Sequence, residues 1–133
     1  MTGLVPIAHS PDAGDEHWRA GLNLVGEWLM EQSGNTRATY SDSIGWPFTA
    51  SGKKREEPAR YGAAWLYWCY DHGVLLFDAR RLHVLAWLEA VEAARHPKTG
   101  EPLKKRSKAH MVSAVSAFYT WAQATGRRAD NPA

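Results

Sequence analysis

The chain has a single cysteine, Cys69, so no internal disulfide can form, and a reducing, cytoplasmic compartment is expected. No apolar run approaches the roughly 18 residues that a membrane span needs, and the first residues lack the charged-then-apolar pattern of a leader. No membrane partner is expected. Strand-like alternation is missing at any useful length, as are 20–50-residue repeats and low-complexity tracts. A strong charge of one sign is also lacking. The formal net charge of +2 excludes a histone-like tail and leaves room only for a localised basic face.

Catalytic and cofactor signatures are equally scarce. There is no GxxxxGK[ST] or GxGxxG phosphate cradle and no GxSxG elbow. Six histidines occur, at 9, 17, 72, 83, 96 and 110, but none at HExxH spacing. The adjacent Asp71 and His72 fall at a helix end, where charged residues are common. These absences predict no metal, no cofactor and no enzymatic activity for the chain by itself.

What is present is a helical, tryptophan-rich core. With 44% hydrophobic residues and seven tryptophans in 133 residues, disorder is excluded and one domain is expected. Residues 1–14 lack periodicity and predict a flexible arm. Asp15 is placed to cap a leading helix to about Gln32, with Trp18, Leu22, Val25, Trp28 and Leu29 on its stripe. Gly34 suits the left-handed position after it. A second helix starts near Thr36, capped by Ser33 or Asn35, and stops or kinks at Pro47. Residues 48–57 form a polar loop. Pro58 opens a third helix to about His72, ended by Gly73. Asp78 caps a fourth, about Ala79 to Arg95, carrying Leu82, Leu85, Leu88 and Val91 on one side, widened by Val84 and Trp87. Ser107 caps the last helix, to Thr125, with Gly126 beyond it. Its stripe is Met111, Val115, Phe118 and Ala122, joined by Val112, Tyr119 and Trp121. The fold class predicted is all-α, a small orthogonal bundle of four to five helices.

Three polar features stand outside the core. Lys104, Lys105, Arg106 and Lys108, with Lys98 nearby, cluster where the last helix begins, and the positive end of a helix dipole there reinforces them. Ser107 adds a hydroxyl, and His110 and Ser113 lie beyond it within reach of a major groove. Lys53, Lys54 and Arg55 form a second cluster in the central loop. Thr36, Arg37 and Thr39 on the first turn of the second helix are a third. Each suits phosphate contact, and each also suits ordinary capping or a solvated loop. Arg80 and Arg81 sit at a helix N-terminus, where the dipole disfavours them. The tryptophans fall on apolar stripes, where core packing explains them better than base stacking.

Several residues, in order, carry a family likeness. They are Thr36-x-x-x-Tyr40, Trp65-x-x-Trp68-Cys69-x-x-x-Gly73, the helix from Asp78 to Val91, and Val112-Ser113-Ala114-Val115-x-Ala117-Phe118-Tyr119-x-Trp121-Ala122. Asn131-Pro132-Ala133 closes the series. From about Ser33 to Ala133 the chain resembles the N-terminal core-binding, SAM-like domain of tyrosine recombinases, the phage integrase family. The resemblance implies half of a C-shaped clamp on double-stranded DNA at a recombination half-site, acting in DNA integration or recombination. Residues 15–32 would then be an extra leading helix and 33–130 the core. A catalytic domain, absent from this sequence, would follow Asn131-Pro132.

The implied DNA-facing residues are Thr36, Arg37, Thr39 and Ser43 on the first clamp helix, and Ser107, Lys108, His110 and Ser113 on the last. Lys104 to Lys108 would take the phosphate role, and the loop with Lys53, Lys54 and Arg55 would reach along the backbone or contact a neighbouring subunit. Partners would be duplex DNA and, at full length, other recombinase subunits, with this domain itself monomeric. Two departures from the family pattern stand out: His110-Met111 replaces a basic pair, and the extra stretch Pro47–Arg60 breaks a helix that is usually continuous. The alternative expectation is a helical protein–protein interaction module that does not bind DNA, with Trp18 and Trp28 as exposed anchors.

Overall fold

The last helix is the axis of the molecule, because its sequence places apolar side chains on one side for about three turns, from Met111 to Ala122. In the computed structural model, which describes residues 10–133, five α-helices and no strand occur among the described residues. They are α1 (Glu16–Met30), α2 (Gly34–Ile44), α3 (Trp65–Asp71), α4 (Arg81–Ala93) and α5 (Lys105–Ala124). Met111, Ala114, Val115, Phe118, Tyr119 and Ala122 of α5 are all fully buried. The remaining helices pack around this stripe, α2 most extensively. The all-α architecture agrees with the sequence expectation. No helix among the described residues is long and apolar enough to cross a membrane.

Helix α1 begins as its sequence dictates. The Asp15 carboxylate accepts from the Trp18 amide at 3.0 Å, satisfying one of the orphan donors of the first turn. All five stripe residues of α1 are buried, and Trp28 stacks on Tyr40 of α2 and meets the edge of Phe118 of α5. Trp18 and Trp28 are therefore core residues, not exposed anchors, contrary to the interaction-module expectation. Of the arm expected over residues 1–14, Met1 to His9 lie outside the described residues. The remainder is pinned: Pro11 is buried and its carbonyl accepts from the Trp18 indole at 2.7 Å.

Four further expectations fail. Gly34 is not a left-handed terminator but the first residue of α2. The carbonyls ending α1 are instead satisfied by the Arg37 guanidinium, which donates to Leu29, Met30 and Gln32. The helix expected from Pro58 is a short 3₁₀ turn, Ala59–Gly62, in which Arg60 and Tyr61 have φ of 51° and 57°. Two left-handed non-glycine residues cannot continue an α-helix, so α3 starts only at Trp65. On α4 the buried face is Val84, Trp87 and Val91, while Leu82 and Leu85 are 78% and 45% exposed. The aromatic and β-branched side chains take the core, and two of the leucines expected there face outward. Val112 of α5, expected to join the core, is 41% exposed.

Gly45 ends α2 at φ +93°, and a Cβ there would lie 2.8 Å from that of Ala64, so glycine is required twice over. The chain then makes a small hairpin-like loop closed by a bridge between Phe48 and Lys54. Its base is clasped by Asp42, which pairs with Arg60 at 2.7 Å and Arg55 at 3.5 Å. Helix α3 is buried from Trp65 to Cys69. The Tyr119 hydroxyl accepts from the Trp65 indole at 3.2 Å and donates to the Leu76 carbonyl at 2.6 Å. Arg128, beyond α5, lies over the Tyr119 ring and donates to the carbonyls of Leu76 and Ala79. The Trp87 indole donates to the Ala63 carbonyl at 2.7 Å.

Tyr119→Phe leaves the Trp65 N–H without its partner in a dry site, while the Leu76 carbonyl keeps only Arg128. It is expected to cost about 1–3 kcal/mol in denaturant titration while keeping the fold. Burial also pushes the Cys69 thiol and the Tyr119 phenol above their ordinary values of 9.0 and 10.0. The unfolded chain releases these protons while the native state keeps them, so stability is whole below about pH 9 and falls as pH rises further. Thermal unfolding followed from pH 7 to 11 should show that decline, and Cys69→Ala should delay its onset.

Candidate nucleic-acid interface

The residues singled out from the sequence separate into those free to meet a ligand and those engaged by the fold. Lys104, Lys105 and Arg106 are exposed and make no ion pair among the described residues. Helix α5 starts one turn earlier than Ser107 would place it, with Lys104 at the N-cap and no side chain capping the first turn. Ser107 is thus a half-buried residue inside that turn, not its cap. The first-turn amides remain available to an anion, next to three cations and the positive end of a 20-residue helix.

Lys105, Arg106, Ala109 and Ser113 fall at i, i+1, i+4 and i+8, on the exposed side of α5 opposite the buried stripe. Lys108 points to the flank, where its ammonium pairs with Glu92 of α4, and its side chain is only 26% exposed. His110 is half-buried on the other flank. Farther along that side the Asn131 amide donates to the Ser116 carbonyl and the Thr120 hydroxyl, and Pro132 is buried, while Thr120 and Gln123 stay exposed. The exposed cations of α5 are therefore confined to its first turn, with Ser113 the next exposed polar residue along the helix.

On α2 the picture differs from expectation. Thr36 and Thr39 are exposed, but Arg37 is engaged with the three carbonyls of the α1 terminus, and Ser43 is completely buried with an unpartnered hydroxyl. Ser43 cannot lie on a DNA-facing side. It occupies the inward position beside Ile44, one residue before α2 ends. In the central loop Lys53 is exposed, Lys54 pairs with Asp12 at 3.5 Å, and the half-buried Arg55 donates to the Trp46 carbonyl at 2.7 Å. Arg55 thus holds the loop and does not extend from it.

The clusters do not form one patch. The α1–α2 junction lies against the far end of α5, where the Trp121 indole donates to Glu31 at 3.1 Å. From there to Lys108 is about 20 Å of helix at 1.5 Å per residue. A second cationic region, missed as a site in the sequence, lines a cleft of about 870 Å³ at the start of α4 with Arg80, Arg81 and Arg128. Asp78 and Asp130 offset it, and the Arg128 hydrogen bond holds the Asp130 carboxyl below its ordinary value. Among the described residues no cluster of three or more metal-ligating side chains occurs. No family model, curated protein or solved structure matches the chain.

Two substitutions separate the structural from the interfacial residues. Removing the unpartnered buried hydroxyl in Ser43→Ala is expected to raise stability by about 1 kcal/mol and leave any DNA affinity unchanged. Arg37→Gln, by contrast, should lower stability by about 1–2 kcal/mol through the orphaned α1 carbonyls, measured as a shift of the urea midpoint.

Proposed function

We propose that this is a duplex-DNA-binding helical domain that grips phosphates with the start of α5. The observation that carries it is the coincidence of Lys104, Lys105 and Arg106 with an uncapped helix N-terminus, all exposed and none paired with acids among the described residues. Cations, free amides and the helix dipole act together on a phosphate there. Ser113, and less directly His110, supply polar groups farther along the helix that can approach base edges once the phosphates fix the register.

The SAM-like resemblance supports a narrower identity. Several of the residues that carry it are core residues: Trp65, Trp68 and Cys69 in α3, and Val115, Phe118, Tyr119 and Ala122 in α5, with Asn131 hydrogen-bonded to α5. On this basis we read the chain as the core-binding domain of a tyrosine recombinase that acts in DNA integration or recombination in the cytoplasm. Strand cleavage would belong to a separate catalytic domain.

With Lys108 held by Glu92 and Arg37 and Arg55 engaged by the fold, about three to four cations remain to neutralise phosphate. The affinity for a duplex half-site should then fall with salt at a log–log slope of roughly −3 to −4. Reversing Lys104, Lys105 and Arg106 to glutamate should remove the gel shift while leaving the helical circular dichroism intact. A wild-type domain whose DNA affinity is flat in salt, or a triple variant that binds as well as wild type, excludes this surface.

A further inference from the structure

We propose that the outward face of α4 is a self-association surface, on which a second copy of this chain packs antiparallel about a two-fold axis passing Leu85. Leu82 and Leu85 are 78% and 45% exposed, and Ala86 and Ala93 continue the same side of the helix into solvent. Exposed leucines arranged along one helical side call for a partner more than single ones do.

The charges identify which partner fits. Arg81 lies four residues before Leu85 and Glu89 four residues after it. Turning a second α4 end for end about Leu85 sets Arg81 of each copy against Glu89 of the other, with Leu85 meeting its own equivalent. A two-fold interface must be self-complementary in this way. Both residues are exposed and neither is in an ion pair among the described residues, whereas the neighbouring Glu92 is already held by Lys108.

The arrangement also accounts for the placement of Arg80 and Arg81. Their own helix dipole disfavours cations at its start, but an antiparallel neighbour lays the negative end of its dipole alongside them. A lipid surface or a uniformly acidic partner would instead meet Glu89 in the middle of the apolar patch, uncompensated. This surface shares none of the three unpaired cations of α5, so it stands or falls independently of DNA binding.

The apolar patch of a few side chains is smaller than the ~800 Å² per partner of a stable complex, so a dissociation constant on the order of 10⁻⁴ M is expected. The test is sedimentation velocity from about 0.01 to about 1 mM at low salt, a range that brackets that constant. Wild type should move from monomer towards dimer as concentration rises. Arg81→Glu alone and Glu89→Arg alone should each stay monomeric, because like charges meet twice. An equimolar mixture of the two should associate, because both cross-pairs become opposite in sign. Circular dichroism of each variant checks folding, and recovery in the mixture shows that neither has lost it. A wild type that remains monomeric throughout overturns the proposal and leaves the face to another protein or to solvent. So does self-association that persists in both single variants, and so does a mixture that stays monomeric.

Discussion

The Tyr119 hydroxyl is the point on which the separate pieces of the domain converge. It sits in the C-terminal half of α5, accepts from Trp65 of α3 and donates to the Leu76 carbonyl in the α3–α4 connector. Arg128 reaches the same carbonyl from beyond α5, covering the ring as it does so. One polar atom thus joins α5 to α3 and its following connector, more than 40 residues away in sequence, in an environment where an unpaired group is costly. The apolar stripe of α5 collects the helices without dictating their rotation. This hydrogen-bonded centre fixes how α3 and the connector lie against it. The exposed start of α5 takes its orientation from the same anchor.

Several arginines in this molecule are taken up by the fold. Arg37, Arg55, Arg95 and Arg128 donate to backbone carbonyls, mostly where a helix or loop ends. Lys53, Lys104 and Lys105 remain in solvent. The rigid multi-donor fork of arginine suits carbonyl groups that converge from two directions, whereas lysine is a single hydrated charge. A cation census taken from composition therefore overstates the charge available to a polyanion.

Much of the fold was legible in the sequence. Asp15, the stripes of α1 and α5, and the glycines after α3 and α5 are local signals with local causes, and the helices stand close to where they point. What escaped depended on neighbours. The choice between the leucine side and the tryptophan side of α4 is made by the cavity that Trp87 fills, which periodicity cannot weigh. The left-handed Arg60 and Tyr61 accompany the ion pair of Arg60 with the distant Asp42, with only Gly62 as a faint warning. At the candidate site the cluster at 104–106 was legible because it is contiguous. Arg37, Arg55 and Lys108 look identical in sequence to free cations, and only their distant partners (α1 carbonyls, Trp46 and Glu92) distinguish them.

The near-parallel Trp65 and Trp68 rings, 5.6 Å apart with Trp87 against the edge of Trp65, also make the interior optically distinctive. Trp65 and Trp68 are neighbours on α3, but the contact with Trp87 of α4 exists only in the packed core, so the near-ultraviolet dichroism reports on that packing. Among the described residues, no tryptophan lies on the exposed opening turns of α5. The domain therefore contains an intrinsic gauge of core order whose signal is spatially removed from the cationic surface.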